Sequence, residues 1–283
     1  MRVITDAQHL RQALLPFRQD SIAFVPTMGC LHAGHVSLIR KAKRMADIVV
    51  VSIYVNPLQL GPNEDFSEYP RTLDADAQIC AEEGVKFVFN PTSLYASDGA
   101  RVTLKVNGID NILCGASRPG HFDGVATVVA ILLNMIQPNL AVFGEKDWQQ
   151  LAIIRRMVAD LHMPIQIVGS ELIRETSGLA MSSRNRYLSD SEKDQALLLS
   201  KTLRWMQQLA AEGNSNDAVL KAGIEQLAAQ QIDPHYLEIR HGHTLQPSLY
   251  MADKDDRIFI AATIGKTRLI DNMPLIANTE RTA

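Results

Sequence analysis

Apolar residues along this chain come in two rhythms. Short unbroken runs of strand length alternate with longer stretches spaced three and four apart. Ile22-Ala23-Phe24-Val25 is the first such run. Leu38, Ile39, Ala42, Met45 and Ala46 follow with the spacing of an amphipathic helix over about 34–46. Residues 47–55 are then almost continuously apolar and β-branched, which suits a strand covered on both faces of a parallel sheet. These three segments predict a βαβ unit. A helix over 6–19 precedes it, with Asp6 as N-cap and Leu10, Leu14 and Phe17 inward.

The alternation continues. Residues 72–83 read as a helix closed by Gly84, and 85–89 as a strand. A glycine-punctuated stretch follows, including Ser117-Arg118-Pro119-Gly120-His121-Phe122. Val125, Val128, Val129, Leu132, Leu133 and Ile136 mark an apolar helix that Pro138 stops. Strands at 140–143 and 165–168 flank a helix through Leu151, Ile154, Val158 and Leu161. Such regular alternation predicts an α/β fold, a doubly wound, Rossmann-like parallel sheet. The rhythm changes after about residue 175. Ser189-Asp190-Ser191-Glu192 has the form of a capping box before a long helix, and a second helix covers about 216–230. Strands at 236–239, 257–262 and 268–270 complete a smaller α+β region. The expected domains are therefore 1–175 and 176–283.

Composition narrows the function class. The chain has 283 residues and a formal net charge of -3, with mixed charges and no basic block to suit nucleic acid. Cys30, Cys80 and Cys114 form no CxxC pair, so neither a disulfide framework nor a zinc knuckle is expected. No apolar run reaches membrane length, and the first residues lack a signal-peptide core. A cytoplasmic location and no membrane or nucleic-acid partner are the expectations.

Candidate chemistry gathers where strands end. Pro26-Thr27-Met28-Gly29-Cys30-Leu31-His32-Ala33-Gly34-His35 joins the first strand to its helix. If the helix starts near Ala33, both imidazoles share one face at its N-terminus. Unpartnered amides pointing outward there, together with the helix dipole, would make an anion site. A surface helix with two incidental histidines is the plainer reading, and the flanking strand and glycines weigh against it. Zinc would need further ligands that no neighbouring cluster supplies. Asn56 and Gln59, after the second strand, can both donate and accept, which suits a small polar substrate. At Gly144-Glu145-Lys146-Asp147 the lysine could meet a phosphate, and the aspartate Mg²⁺ or a ribose hydroxyl. Of Gln149 and Gln150 only one is expected to face the crevice. Ser182-Ser183-Arg184 offers hydroxyls and a guanidinium in a loop, either a phosphate clamp or a polar linker. Arg118 and His121 could bind anions or cap a loop, and His241 and His243 sit in a turn.

The combination resembles a known family. His32-Ala33-Gly34-His35 is similar to the HxGH form of the HIGH signature of nucleotidyltransferases, and Met181-Ser182-Ser183-Arg184 to their KMSKS loop. Pro26-Thr27-Met28-Gly29, Val55-Asn56-Pro57-Leu58-Gln59, Tyr69-Pro70-Arg71-Thr72, Ser117-Arg118-Pro119-Gly120-His121-Phe122, Phe143-Gly144-Glu145-Lys146-Asp147 and Arg268-Leu269-Ile270-Asp271-Asn272 extend the likeness over essentially the whole chain. In order and spacing they resemble the pantothenate synthetase family.

The resemblance implies ATP-dependent joining of pantoate to β-alanine through a pantoyl adenylate, releasing AMP and pyrophosphate. It implies that His35, His32, Lys146 and Arg184 serve catalysis. ATP would meet Met28, His32, Gly34, His35, Gly144, Lys146, Asp147, Ile173, Met181, Ser182, Ser183 and Arg184. Gln59, Gln150 and Asn56 would hold pantoate or β-alanine. Mg²⁺ would accompany the phosphates, the smaller domain would act as a lid, and the enzyme would be a homodimer. Another HxGH adenylyltransferase, a small aminoacyl-tRNA synthetase relative and a non-enzymatic nucleotide sensor are the alternatives. Two features depart from the family pattern. Met181 stands where leucine is common, and residues 94–99 lack a Tyr-Pro pair. Cys30 has no functional reading.

Overall fold

The computed structural model describes residues 1–61, 66–248 and 250–277. The chain divides into two compact units, Met1–Glu145 with Ile153–Glu171, and Lys146–Ala152 with Leu172–Ala283. The single boundary expected at 175 does not anticipate the Lys146–Ala152 piece. The tail of that expected second domain, 278–283, lies outside the described residues.

The first unit is built on a parallel sheet. Its strands are β1 (Arg2–Ile4), β2 (Ile22–Thr27), β3 (Ile48–Ile53), β4 (Phe87–Phe89), β5 (Leu140–Gly144) and β6 (Gln166–Ser170), in the order β1-β4-β3-β2-β5-β6. The helices are α1 (Ala7–Leu14), α2 (Ala33–Met45), α3 (Leu73–Glu82), the short α4 (Cys114–Ser117), α5 (His121–Ile136) and α6 (Trp148–Asp160). The unit boundary runs through α6 after Ala152. All of β3 is buried, as its unbroken β-branched run requires. The strand β1 escaped the sequence reading. Only three residues long, it gains its place by pairing with β4, more than eighty positions away. The expected helix over 6–19 stops earlier, at Leu14, where a 3-10 turn containing Pro16 takes over. Asp6 caps it as expected, accepting from the His9 amide at 2.8 Å.

The strand order reverses at β2, whose neighbours are β3 and β5. Pairing with β3 runs the whole length of β2, from Ile22 to Thr27, whereas pairing with β5 covers only Ala23 and Phe24. Pro26 lies just beyond that short contact, and it has no N–H to continue one. The carboxyl ends of β2 and β5 thus part at the switch point, where open α/β sheets bind ligands.

The second unit packs α7 (Asp190–Ala211) and α8 (Asn216–Ala229) with an antiparallel sheet of β7 (Pro234–His241), β8 (Asp256–Ile264) and β9 (Thr267–Pro274), in that order. Leu199, Leu203, Met206, Val219, Leu227, Ile258 and Ile260 belong to its own core. The capping box is formed: the Glu192 amide donates to Ser189 Oγ at 3.4 Å, and the Ser189 amide donates to Glu192 Oε2 at 2.7 Å. Among the described residues no helix is long and apolar enough to cross a membrane.

Candidate active site

The strand-to-helix turn after β2 carries the histidines. Helix α2 begins at Ala33 with His32 as its N-cap. The Gly34 amide donates to His32 Nδ1 at 3.1 Å, and the His32 amide donates to His35 Nδ1 at 3.3 Å. An Nδ1 that accepts carries no proton, so each neutral ring bears its hydrogen on Nε2. The rings lie 4.2 Å apart between centroids, and both are half-buried.

Several amides of this turn are engaged within the protein instead of pointing outward. Gly29 N–H donates to Thr27 Oγ1 at 3.2 Å, Cys30 N–H to Asp76 Oδ2 at 2.9 Å and Leu31 N–H to Asp76 Oδ1 at 2.7 Å. The His32 and Gly34 amides are engaged as well, each on an imidazole Nδ1. Gly29 is required here. Its φ is +87°, and a Cβ would stand 3.0 Å from both Asp76 Oδ2 and Ile53 Cγ2.

The loop after β3 forms a second, interlocked part of the first unit. Asn56 is almost wholly buried and its amide is fully engaged: Nδ2 donates to Gln59 Oε1 at 3.2 Å and to Gly124 O at 3.1 Å. Its Oδ1 accepts from the Leu58 amide at 3.2 Å and from the Tyr95 hydroxyl at 2.7 Å. Asn56, expected to touch substrate, is thus occupied in holding Gln59. Gln59 Nε2 reaches Met28 Sδ at 3.0 Å, which ties this loop to the histidine turn. The Gln59 carbonyl accepts from His121 Nδ1 at 2.6 Å, and Arg118 Nη1 lies 2.9 Å from His121 Nε2. A carbonyl only accepts and a guanidinium only donates, so His121 is neutral with its proton on Nδ1. Of the two roles open to Arg118 and His121, these contacts serve loop support. Helix α5 approaches closely at Gly124, where a Cβ would fall 2.1 Å from Leu58 O.

Tyr95 comes from the segment that departs from the family pattern. Burial, then the neighbouring Tyr54, raises its hydroxyl pKa, which keeps it a proton donor to Asn56.

Of the remaining candidates, Gly144 ends β5 in the first unit, while Lys146, Asp147, Gln150, Ile173 and residues 181–184 belong to the second. Lys146 Nζ lies 3.6 Å from Asp147 Oδ1, and Asp147 is exposed. The Lys146 carbonyl accepts from Asn272 Nδ2 at 2.8 Å. Trp148 Nε1 donates to Gly242 O at 2.6 Å, and the Arg257 guanidinium covers its ring at 3.5 Å. Gln149 is buried and Gln150 half-buried, so Gln150 is the glutamine with accessible surface to offer. Ile173 and Met181 are brought together, the Met181 amide donating to Ile173 O at 3.0 Å. Ser182 Oγ caps the turn of Ser183–Tyr187, accepting from the Arg184 amide at 3.3 Å. Arg174 makes a two-pronged pair with Asp271, at 2.6 and 2.9 Å.

Sequence reasoning missed Asp76, Tyr95, Arg174 and Trp148. Thr72 and Asp76 were visible as an i, i+4 pair, but nothing local showed that the carboxylate turns away from its helix.

Comparison with known proteins decides the family. A model of the pantoate-beta-alanine ligase family matches residues 2–274. The chain belongs to the pantoate-beta-alanine ligase family. It is 49% identical over 280 residues to the pantothenate synthetase of Pseudomonas putida (strain W619), covering 96% of this chain and 97% of that one. With the enzyme of Shewanella sediminis (strain HAW-EB3) identity is 50% over 257 residues, covering 90% and 91%. A crystal structure of pantothenate synthetase from Thermus thermophilus superposes with a TM-score of 0.93 at 42% identity, covering 98% of this chain and all of that one. Pantoate-beta-alanine ligase from Francisella tularensis, solved with beta-gamma ATP and beta-alanine, gives 0.82 at 35% identity, covering 98% and 99%. This ligase condenses pantoate with β-alanine to pantothenate, with ATP as a substrate.

Proposed function

We propose that the condensation runs through a pantoyl adenylate. A pantoate carboxylate oxygen attacks the α-phosphorus of ATP, and the bond to pyrophosphate breaks. The β-alanine amine then attacks the acyl carbon, the bond to AMP breaks, and the amine gives up a proton as the amide forms. The observation that carries this reading is the pair of backbone hydrogen bonds accepted by the two histidines. Both Nδ1 atoms accept from the backbone of the α2 turn, so both rings carry their proton on Nε2. Such fixed donors suit charge developing on phosphate oxygens.

His35 is the proton donor to the phosphates in this proposal, and His32 lies beside it. Met28 and Gly34 line the nucleotide with them. Gly144, Lys146, Asp147, the Ile173 backbone, Met181, Ser182, Ser183 and Arg184 hold the rest of ATP, with Lys146 and Arg184 offsetting charge. Gln59 and Gln150 bind the hydroxyls and carboxylate of pantoate, and Asn56 acts by fixing Gln59. Mg²⁺ would accompany the phosphates of ATP. Asp147, exposed beside Lys146, is the carboxylate that would help to hold the ion. The bound ion would neutralise phosphate charge. The second unit serves as a lid that keeps water from the mixed anhydride. A homodimer and a cytoplasmic setting are part of the same proposal, and sedimentation tests the first.

Incubation with ATP, Mg²⁺ and pantoate should give pantoate-dependent pyrophosphate exchange, and AMP should appear on adding β-alanine. Absence of the exchange while pantothenate still forms would overturn the adenylate route.

A further inference from the structure

The turn that presents the histidines is not a relaxed one. Gly29 and Cys30 are successive left-handed residues, at φ +87° and +53°. Such a conformation is rare for a residue with a side chain, and it persists only where surrounding contacts impose it. Cys30 is itself buried. Two residues later the backbone must be extended, at φ -138°, so that His32 can cap α2.

One side chain imposes this path. Asp76, in the first turn of α3, is 2% exposed. Its two oxygens take the consecutive amides of Cys30 and Leu31. The Thr72 hydroxyl, from the residue before α3, steadies Oδ2 at 3.1 Å. The start of α3 favours a negative charge there. Burial, then the Asp76 charge, pushes the Cys80 thiol up to about 12, so the nearby sulfur stays a neutral filler.

We infer that Asp76 is the positioning residue for the catalytic histidines, clamping the strained Gly29–Leu31 turn through two backbone amides so that His32 and His35 keep their adjacent placement and their Nε2–H tautomers. The inference rests on the proposed role of the histidines. Asp76 touches no substrate in it. A carboxylate is needed because it accepts at both oxygens. An asparagine of the same shape keeps one acceptor and turns an NH₂ donor against the other amide.

The test uses the full-length enzyme. Asp76→Asn should lower pantoate-dependent pyrophosphate exchange by ~10²-fold, the size expected when catalytic groups are displaced by about 1 Å. The fall should lie in kcat, with the folded protein verified by circular dichroism. Imidazole ¹⁵N spectra should show His32 and His35 leaving the single Nε2–H tautomer. Adding Cys30→Gly to Asp76→Asn should recover part of the loss, because glycine takes the left-handed path unaided. Should Asp76→Asn not fold, Thr72→Val loosens the same carboxylate, and it should shift the same spectra with a smaller loss of kcat. Wild-type exchange in the folded Asp76→Asn enzyme, unchanged tautomers, or a loss that Cys30→Gly does not relieve would each overturn the positioning role. His35→Ala, run in parallel, separates the two levels. If it retains wild-type turnover, the histidine reading fails. If it is impaired while Asp76→Asn is not, only the clamp fails.

Discussion

The two units hold their functional groups by different means. In the first, side chains tie the loops at strand ends to elements distant in sequence by satisfying backbone groups. Asp76 takes the Cys30 and Leu31 amides, Asn56 takes Gly124 O, and His121 supports Gln59 O. In the second, one late strand does most of the work. From β9, Asp271 pairs with Arg174 beside Ile173, and Asn272 donates to the Lys146 carbonyl. The first arrangement fixes ring orientation and tautomer before any ligand arrives. The second fixes where a segment runs while its side chains, from exposed Asp147 to half-buried Ser182 and Arg184, keep contact with solvent. Under the proposed roles, preorganised donors would suit the reacting phosphate, and solvated cations would suit phosphates that must enter and leave.

Substitutions in each unit would sharpen this contrast or break it. The largest effect belongs to His35→Ala, with turnover falling ~10²–10³-fold, as for removal of a transition-state donor, and the fold retained. Steady-state kinetics beside a melting curve would check it, and wild-type kcat would remove His35 from the chemistry. Next is Gly124→Ala. Its Cβ would collide with Leu58 O, so we expect a loss of ~1–3 kcal/mol in stability and a raised KM for pantoate as Gln59 shifts. An unchanged KM would mean that the Asn56–Gln59 loop tolerates displacement. Asn272→Ala should be milder, raising KM for ATP roughly fivefold, the scale of one lost hydrogen bond of ~1 kcal/mol. If kcat fell and KM did not, Lys146 would be as tightly preorganised as the histidines, and the contrast would dissolve.

The smallest effect is Ser189→Ala, at the N-cap of α7. Hydrogen bonds from the Ser189 amide, then its hydroxyl, hold the Glu192 carboxyl below the ordinary glutamate range. A lowered folded pKa means stabilisation at neutral pH that is lost as pH falls through that value. The variant should melt a few degrees lower at pH 7, and the gap should narrow in acid. A gap independent of pH would show that Glu192 takes no part in the cap.

Local patterns made most of this molecule legible. The unbroken run of β3, the amphipathic spacing of α2 and the capping box of α7 follow from neighbours in sequence, and so did the histidine turn as a candidate. What escaped depends on pairing at a distance. Residues 2–4 carry no strand signal until β4 lies beside them. Asp76 reads as an ordinary acid at a helix start, and its inward turn exists only because β2 delivers the Gly29–Leu31 turn to it. Asn56 shows the converse. The sequence marked it as important, and its four hydrogen bonds show how: by holding Gln59 rather than standing open.

The route of the chain through α6 has a practical consequence. Because Lys146–Ala152 groups with Leu172–Ala283 while Ile153–Glu171 groups with the sheet, no single cut separates the two units. A fragment starting at residue 172 would leave Asn272 without its carbonyl and Arg257 without the Trp148 ring. A fragment ending at 171 would carry those residues with nothing to receive them. Excision therefore calls for grafting residues 146–152 onto the second unit through a new linker, and neither half should be expected to survive as a simple truncation.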